Sequence, residues 1–192
     1  MNTDRLFQVL SAIHPVSEKF KKAIEKELTH VSLPKNYMLL EAPRIAEYAY
    51  FLESGFAMSY TFMEGDKQVE GFWVSGQILV PAKSFFEQVP SAEFIQLMDQ
   101  SEVLCMSYAG VSRLFDAFPE ANKISRAVIN QYYENSLGRI RDMQRLTSMQ
   151  RYARLINTFP RIEQVIPQEY IASWLGITPQ SLSRIKRRND PS

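Results

Sequence analysis

Residues 167–188 run PQEYIASWLGITPQSLSRIKRR. Cap and turn residues place two short helices here. The first spans about 168–175 and is followed by Gly176, where a helix needs a left-handed closing residue. The second opens on Thr178 as N-cap, with Pro179 in the first helical position. A threonine oxygen accepts a free backbone N–H there, and proline has no N–H to leave unpaired. About three residues separate the helices, the turn length of a helix-turn-helix. Counted from Gln168, apolar residues occupy positions 4, 8, 10, 15 and 18: Ile171, Leu175, Ile177, Leu182 and Ile185. Ala172 stands at position 5, where the helices approach and a small side chain is required. Gly176, at position 9, permits the turn.

The other residues of the second helix face outward. Gln180, Ser181 and Arg184 are spaced i, i+1, i+4 and project together from its N-terminal half. In a helix-turn-helix that half enters the major groove of DNA. An arginine fork matches O6 and N7 of guanine, and a glutamine amide matches adenine. The Ser181 hydroxyl suits a base or a phosphate, and Thr178 is a further candidate contact at the helix start. Lys186, Arg187 and Arg188 are candidate phosphate contacts, which position a protein without reading sequence. A solvated basic helical hairpin would share the charges but not the ordered interior pattern.

Composition agrees with this assignment. The chain has 192 residues, 45% hydrophobic and 22% charged, enough for one medium domain and one small one. No apolar run approaches the roughly 18 residues of a membrane span, and no membrane partner is expected. The N-terminus reads as an amphipathic helix and not as a signal peptide. One cysteine, Cys105, allows neither an intrachain disulfide nor an iron–sulfur cluster, and a buried strand position is expected for it. His14 and His30 lack neighbouring thiols and stand beside expected helix ends, so no metal, haem or other cofactor is expected. These features suit a reducing cytoplasm. The net charge of +1 hides a split. Residues 1–122 hold 10 Lys+Arg against 16 Asp+Glu, and residues 123–192 hold 12 against 5. A basic C-terminal part is the footprint expected of a phosphate-binding surface.

Upstream, helical spacing predicts a helix over 4–13 and a second one capped by Ser17, with Phe20, Ile24 and Leu28 on one stripe. The period then changes to that of strands, over 37–41, 48–54, 57–63, 68–72, 77–79, 94–98 and 101–107. The Gly65-Asp66 pair reads as a hairpin tip. Many short strands at this spacing predict a small β-roll or barrel. A short helix over 109–117 precedes a long one opened by Pro119 and running to about Leu146. The long helix carries an apolar face from Ile124 to Leu146, wider than a small roll can cover, which pairing with a second copy would explain. Another helix is expected over 150–157, broken by Phe159-Pro160.

The order of parts resembles the Crp/Fnr family of bacterial transcription regulators over nearly the full chain. GITPQSLSRIKRR resembles the recognition-helix signature of the subgroup common in Bacteroidetes-type bacteria. YFLESGFAMSY and GFWVSGQIL resemble strands and glycines of the family's roll. The resemblance implies an α+β fold in three parts. They are a cyclic-nucleotide-binding-like β-roll with flanking helices (1–118), a central dimerisation helix (119–147) and a helix-turn-helix DNA-binding domain (148–192). It implies a homodimer on an inverted-repeat operator, with RNA polymerase and a small-molecule effector as further partners. Gln180 and Arg184 match family positions that contact bases, whereas Pro179 replaces a base-contacting arginine.

Two departures stand out. The family's cyclic-AMP pocket uses a Gly-Glu pair for the ribose and an Arg-Ser/Thr pair for the phosphate. Here the cassette reads GQILVPAKSFFEQVPSAEFIQL, with Val80-Pro81 near the first pair and Pro90-Ser91 or Ser91-Ala92 near the second. No arginine lies between Arg44 and Arg113. A buried phosphate without a cation is costly, so cyclic AMP is not expected to bind in the family manner. Lys83, Ser84 and Ser91 remain the candidate ligand contacts, and Phe72, Trp73, Phe85, Phe86 and Phe94 suit a more apolar ligand or plain core. Second, only residues 189–192 follow Arg188, so no wing hairpin is expected. No GxSxG, HExxH or P-loop is present, and no enzyme activity is expected. The alternative is a ligand- or protein-binding sensor whose helix-turn-helix is mainly an interaction module.

Overall fold

The computed structural model describes residues 3–189, with side chains through Arg187. Two four-stranded antiparallel sheets make the roll, and no barrel closes. One sheet has the order β1 (Leu28–Leu33), β8 (Ser101–Ser107), β3 (Tyr48–Ser54), β6 (Ile78–Leu79). The other has the order β2 (Met38–Leu40), β7 (Phe94–Leu97), β4 (Phe56–Met63), β5 (Asp66–Val74). Leu52 and Val103 from the first sheet meet Ala57, Ile95 and Leu97 from the second, and Phe85 plugs the interior with no exposed surface.

Each sheet also has a back. Phe51 and Leu104 are register partners on the back of the first sheet. They pack under α1 (Asp4–Ile13), α2 (Glu18–Glu27), α4 (Tyr108–Ala117) and the start of α5 (Pro119–Arg145). On the second sheet Ala57 faces the roll interior, while its strand neighbours Phe56, Met58 and Tyr60 face the other way. They join a core with α6 (Ser148–Thr158), α7 (Ile162–Val165), α8 (Gln168–Leu175) and α9 (Pro179–Asn189). The molecule is therefore layered as helices, sheet, sheet, helices. β4 is buried from Phe56 to Tyr60 because both of its faces have a core.

Several elements differ from the sequence expectation, among them α7, for which no helix is expected. The second helix ends at Glu27, and Leu28 begins β1, which pairs with β8 along its whole length. His30 therefore lies within a strand and not at a helix end, its Nε2 3.1 Å from Glu53 and 3.0 Å from Glu102. The hairpin tip is Glu64-Gly65, one residue earlier than expected, with both φ angles positive as a tight two-residue turn demands. Asp66 already pairs with Met63. A short helix, α3 (Ala82–Glu87), occupies the cassette. Cys105 is in β8 as expected, but half-buried, with Sγ 3.4 Å from the Thr29 carbonyl oxygen.

Candidate functional site

α8 closes on Gly176, whose φ of 64° is left-handed. The Ile177 N–H donates to the Ala172 carbonyl at 3.1 Å and the Gly176 N–H to that of Ser173 at 3.0 Å. This paired closure satisfies the last carbonyls of α8 and turns the chain sharply. Thr178 then caps α9: its Oγ1 accepts the Ser181 N–H at 3.2 Å and donates to the Ser181 hydroxyl at 3.1 Å. Ile171, Ala172 and Leu182 are fully buried, and Leu175 and Ile185 nearly so. Four of the five apolar positions thus close into one core with Ala172, and Ile177 packs half-buried against it. With that core behind it, α9 exposes Gln180, Arg184 and Arg187, while Ser181 is half-buried beside its cap. The Arg184 side chain makes no ion pair among the described residues, so its guanidinium is available to a partner.

Lys186 is placed differently. Its ammonium lies 2.7 Å from Glu163 on α7, whose carboxylate also accepts the Tyr152 hydroxyl. Arg187 hydrogen-bonds back to the Ser183 carbonyl at 3.4 Å. The Arg188 side chain lies outside the described residues.

The helix-turn-helix is fixed to the roll of its own chain. The Ser173 hydroxyl on α8 accepts the Val69 N–H at 3.0 Å and donates to the Lys67 carbonyl at 3.1 Å, joining the edge strand β5. Arg139 on α5 stacks 3.8 Å above the Trp174 ring and donates to the carbonyls of Val69, Glu70 and Trp174. Burial lowers its pKa, yet an arginine stays charged, so it acts as a cationic clamp. Phe72 packs against both Phe159 and Trp174, and Lys67 lies over Tyr60 and Tyr170. Arg151 ties two helix ends together by donating to the Leu175 and Leu146 carbonyls. Arg154 pairs with Asp142, and Arg161 with Asp99 at 3.2 Å.

The cassette spends its polar groups internally. Ser84 is buried; its Oγ accepts the Ala46 N–H at 2.9 Å and donates to the Val89 carbonyl at 2.6 Å. Ser91 is buried and its hydroxyl bonds the Glu93 backbone. Lys83 is exposed. Ser84 and Ser91 are each committed to separate backbone groups, while Lys83 stays at the surface. The Val80 N–H, near the expected ribose-binding pair, donates to the Tyr132 hydroxyl at 3.2 Å. That phenol also accepts from Trp73 Nε1 at 3.3 Å and donates to the Ile78 carbonyl at 2.7 Å. Burial raises its pKa, which keeps it a neutral donor. The central helix therefore inserts its own side chain where the roll offers backbone donors.

Sequence reasoning missed Arg139, Arg151, Ser173 and Tyr132. Each acts through backbone carbonyls or amides of distant segments, which leave no spacing signal. The basic excess of residues 123–192 has two origins as a result: Arg139, Arg151, Arg154, Arg161 and Lys186 bind protein, while Arg184 and Arg187 face solvent.

This architecture is shared by solved structures, one of them a regulator of the Crp/Fnr family. It matches the c-di-GMP responsive global regulator CLP of Xanthomonas campestris with a TM-score of 0.68 at 16% identity, covering 90% of this chain and 91% of that one. It matches FixK2 of Bradyrhizobium japonicum with a TM-score of 0.71 at 16% identity, over 84% of this chain and 83% of that one. A protein from Eubacterium rectale assigned to the Crp/Fnr family of transcriptional regulators gives 0.73 at 14% identity, over 90% and 83%. No family model and no curated protein matches the sequence. Among the described residues no helix is long and apolar enough to cross a membrane.

Proposed function

We propose that the chain is a sequence-specific DNA-binding transcription regulator that works as a homodimer on an inverted-repeat operator in the cytoplasm. The observation that carries this is α9: a capped helix, closed behind by its own core, presenting Gln180 and Arg184, which has no ion pair among the described residues, on one exposed face. Gln180, Ser181 and Arg184 read bases in this proposal. Thr178, Arg187 and Arg188 supply backbone contacts, with Lys186 tuning that flank through its pair with Glu163. The division into 1–118, 119–147 and 148–192 is one of labour, into sensing, pairing and reading.

Dimerisation through α5 is supported by its outer stripe. Ile124, Val128 and Tyr132 turn toward the chain's own roll. Tyr133 and Ile140, seven residues apart, are left 62% and 52% exposed. Spacing of this kind is the seam of a helix pair. The roll, in this reading, does not take cyclic AMP as the family does, because its cassette hydroxyls are spent and Phe85 fills the interior.

Selection from a random duplex pool tests the whole proposal. Recovered sites should be dyad-symmetric, with half-sites about 34 Å apart, one helical turn. A pool that never enriches, or that enriches asymmetric single sites bound by a monomer, would contradict it.

A further inference from the structure

A cavity of about 150 Å³, partly open to solvent, separates the helical layer from the back of the β1-β8-β3-β6 sheet. Leu10, Phe20, Phe51, Leu104, Phe115 and Ile124 are among its walls, which α1, α2, α4, α5 and the sheet share with Phe85 and Phe86 of α3. No charged side chain lines it. Its side-chain hydroxyls belong to Tyr50 and Ser125. Tyr50 donates its proton to the Leu39 carbonyl at 3.2 Å. Ser125, half-buried on α5, has no hydrogen-bond partner for its hydroxyl among the described residues, and that hydroxyl is still reached by solvent. Lys83, Ser84 and Ser91 are not part of this lining.

We infer that this cavity is a binding site for a small uncharged molecule, mostly hydrocarbon, with one hydrogen-bonding group set against Ser125. Protein interiors are packed like organic crystals, so an apolar void of this size forfeits contacts that an apolar occupant restores. Water gains little there, because a buried water needs two to four polar partners and the walls offer one free hydroxyl. A carboxylate or phosphate would leave its charge unpaired among hydrocarbon, which excludes nucleotides and fatty-acid anions from the apolar part of the site. A hydroxyl both donates and accepts, so an alcohol, a phenol or a ketone satisfies it. The occupant would touch Ile124, Ser125, Val128 and Ile129 of α5, the turns just before Tyr132 and Tyr133. It would thus bear directly on the helix proposed to pair the subunits. The site borders the cassette through Val80, Phe85 and Phe86 but uses none of its hydroxyls, and the binding test is read on the protein without DNA. Its failure is therefore distinguishable from failure of the DNA-binding reading.

The experiment compares three isosteric probes on the full chain by fluorescence titration and thermal melting: 1-naphthol, naphthalene and 1-naphthoate. Saturable one-to-one binding of 1-naphthol is expected, with a raised melting temperature because only the folded state binds. Naphthalene should bind about fivefold more weakly, the worth of one hydrogen bond, and 1-naphthoate weakest. Ser125→Ala, which leaves the packing intact, should abolish the preference for 1-naphthol over naphthalene. Val128→Phe and Ala49→Leu, filling the cavity from opposite walls, should weaken both neutral probes while the melting temperature of the unliganded protein is kept. Absence of saturable binding, equal binding of 1-naphthoate, or a naphthol preference that survives Ser125→Ala would each overturn the inference.

Discussion

The α8–α9 unit and the β6–α3 cassette both carry hydroxyls and cations, yet the fold treats them oppositely. In α8–α9 the backbone is satisfied by the helices themselves, by Gly176 and by the Thr178 cap. Gln180 and Arg184 are left over for a partner. In the cassette the backbone leaves irregular turns, and Ser84, Ser91 and Tyr132 are consumed in satisfying them. Buried N–H and C=O groups must be paired, so a polar side chain can serve a ligand only where the chain has no prior claim on it. One end keeps polar side chains free at its surface, as the proposed DNA reading requires, and the other spends its own on the scaffold.

Substitutions can break that contrast in order of effect. Leu182→Ala empties a fully buried position in the α8–α9 core and should cost about 2–5 kcal/mol in denaturant unfolding. Loss of only a few tenths would mean that α9 is not held by this core. Arg139→Ala removes three carbonyl contacts and the stack on Trp174. Partial exposure discounts the sum, and a loss of about 2–3 kcal/mol is expected, with Arg139→Lys intermediate. An unaffected Arg139→Ala protein would leave the roll and reader uncoupled. Arg184→Ala should sit on the other side of the contrast. Its melting temperature should match wild type, while DNA affinity falls by about 1–3 kcal/mol and preference relaxes at one base position.

Ser84→Ala leaves the Ala46 N–H unpaired and should destabilise by about 1–2 kcal/mol, as a scaffold residue must. A neutral result would reopen Ser84 as a ligand contact. The smallest effect concerns Glu93, whose pKa burial raises, with the Glu70 charge adding to the shift. A carboxyl held above its unfolded value favours the fold while protonated, and that advantage fades as pH rises through the folded-state pKa. Glu93→Gln should therefore be more stable than wild type at pH 7, with the gap closing below about pH 4, where both states are protonated. The opposite slope would show that Glu93 is a paired carboxylate.

The sequence made one end far more legible than the other. Local rules place α8 and α9, because capping, glycine closure and apolar spacing act within a few residues. They also place most strands and the whole of α5. They miss β1 altogether, since the helical spacing of Phe20, Ile24 and Leu28 continues past the point where pairing with β8 takes over. They miss α3, which is a single short turn unit without a side-chain cap. Arg139 and Ser173 were invisible because their partners lie 35–106 residues away in the chain. The charge split counts together exposed Arg184 and residues such as Arg151 that bind their own backbone.

The central claim is that α9 reads DNA through exposed residues while neighbouring cations hold the protein together. Fluorescence anisotropy on a duplex recovered by selection, titrated with salt, tests it most directly. Affinity should fall linearly on a log–log plot with a slope of about −0.9 per phosphate contacted. Arg184→Ala should lose the preference for that duplex over a scrambled one and change the slope by no more than about one contact. Affinity that is flat in salt, or a preference untouched by Arg184→Ala, would contradict the account.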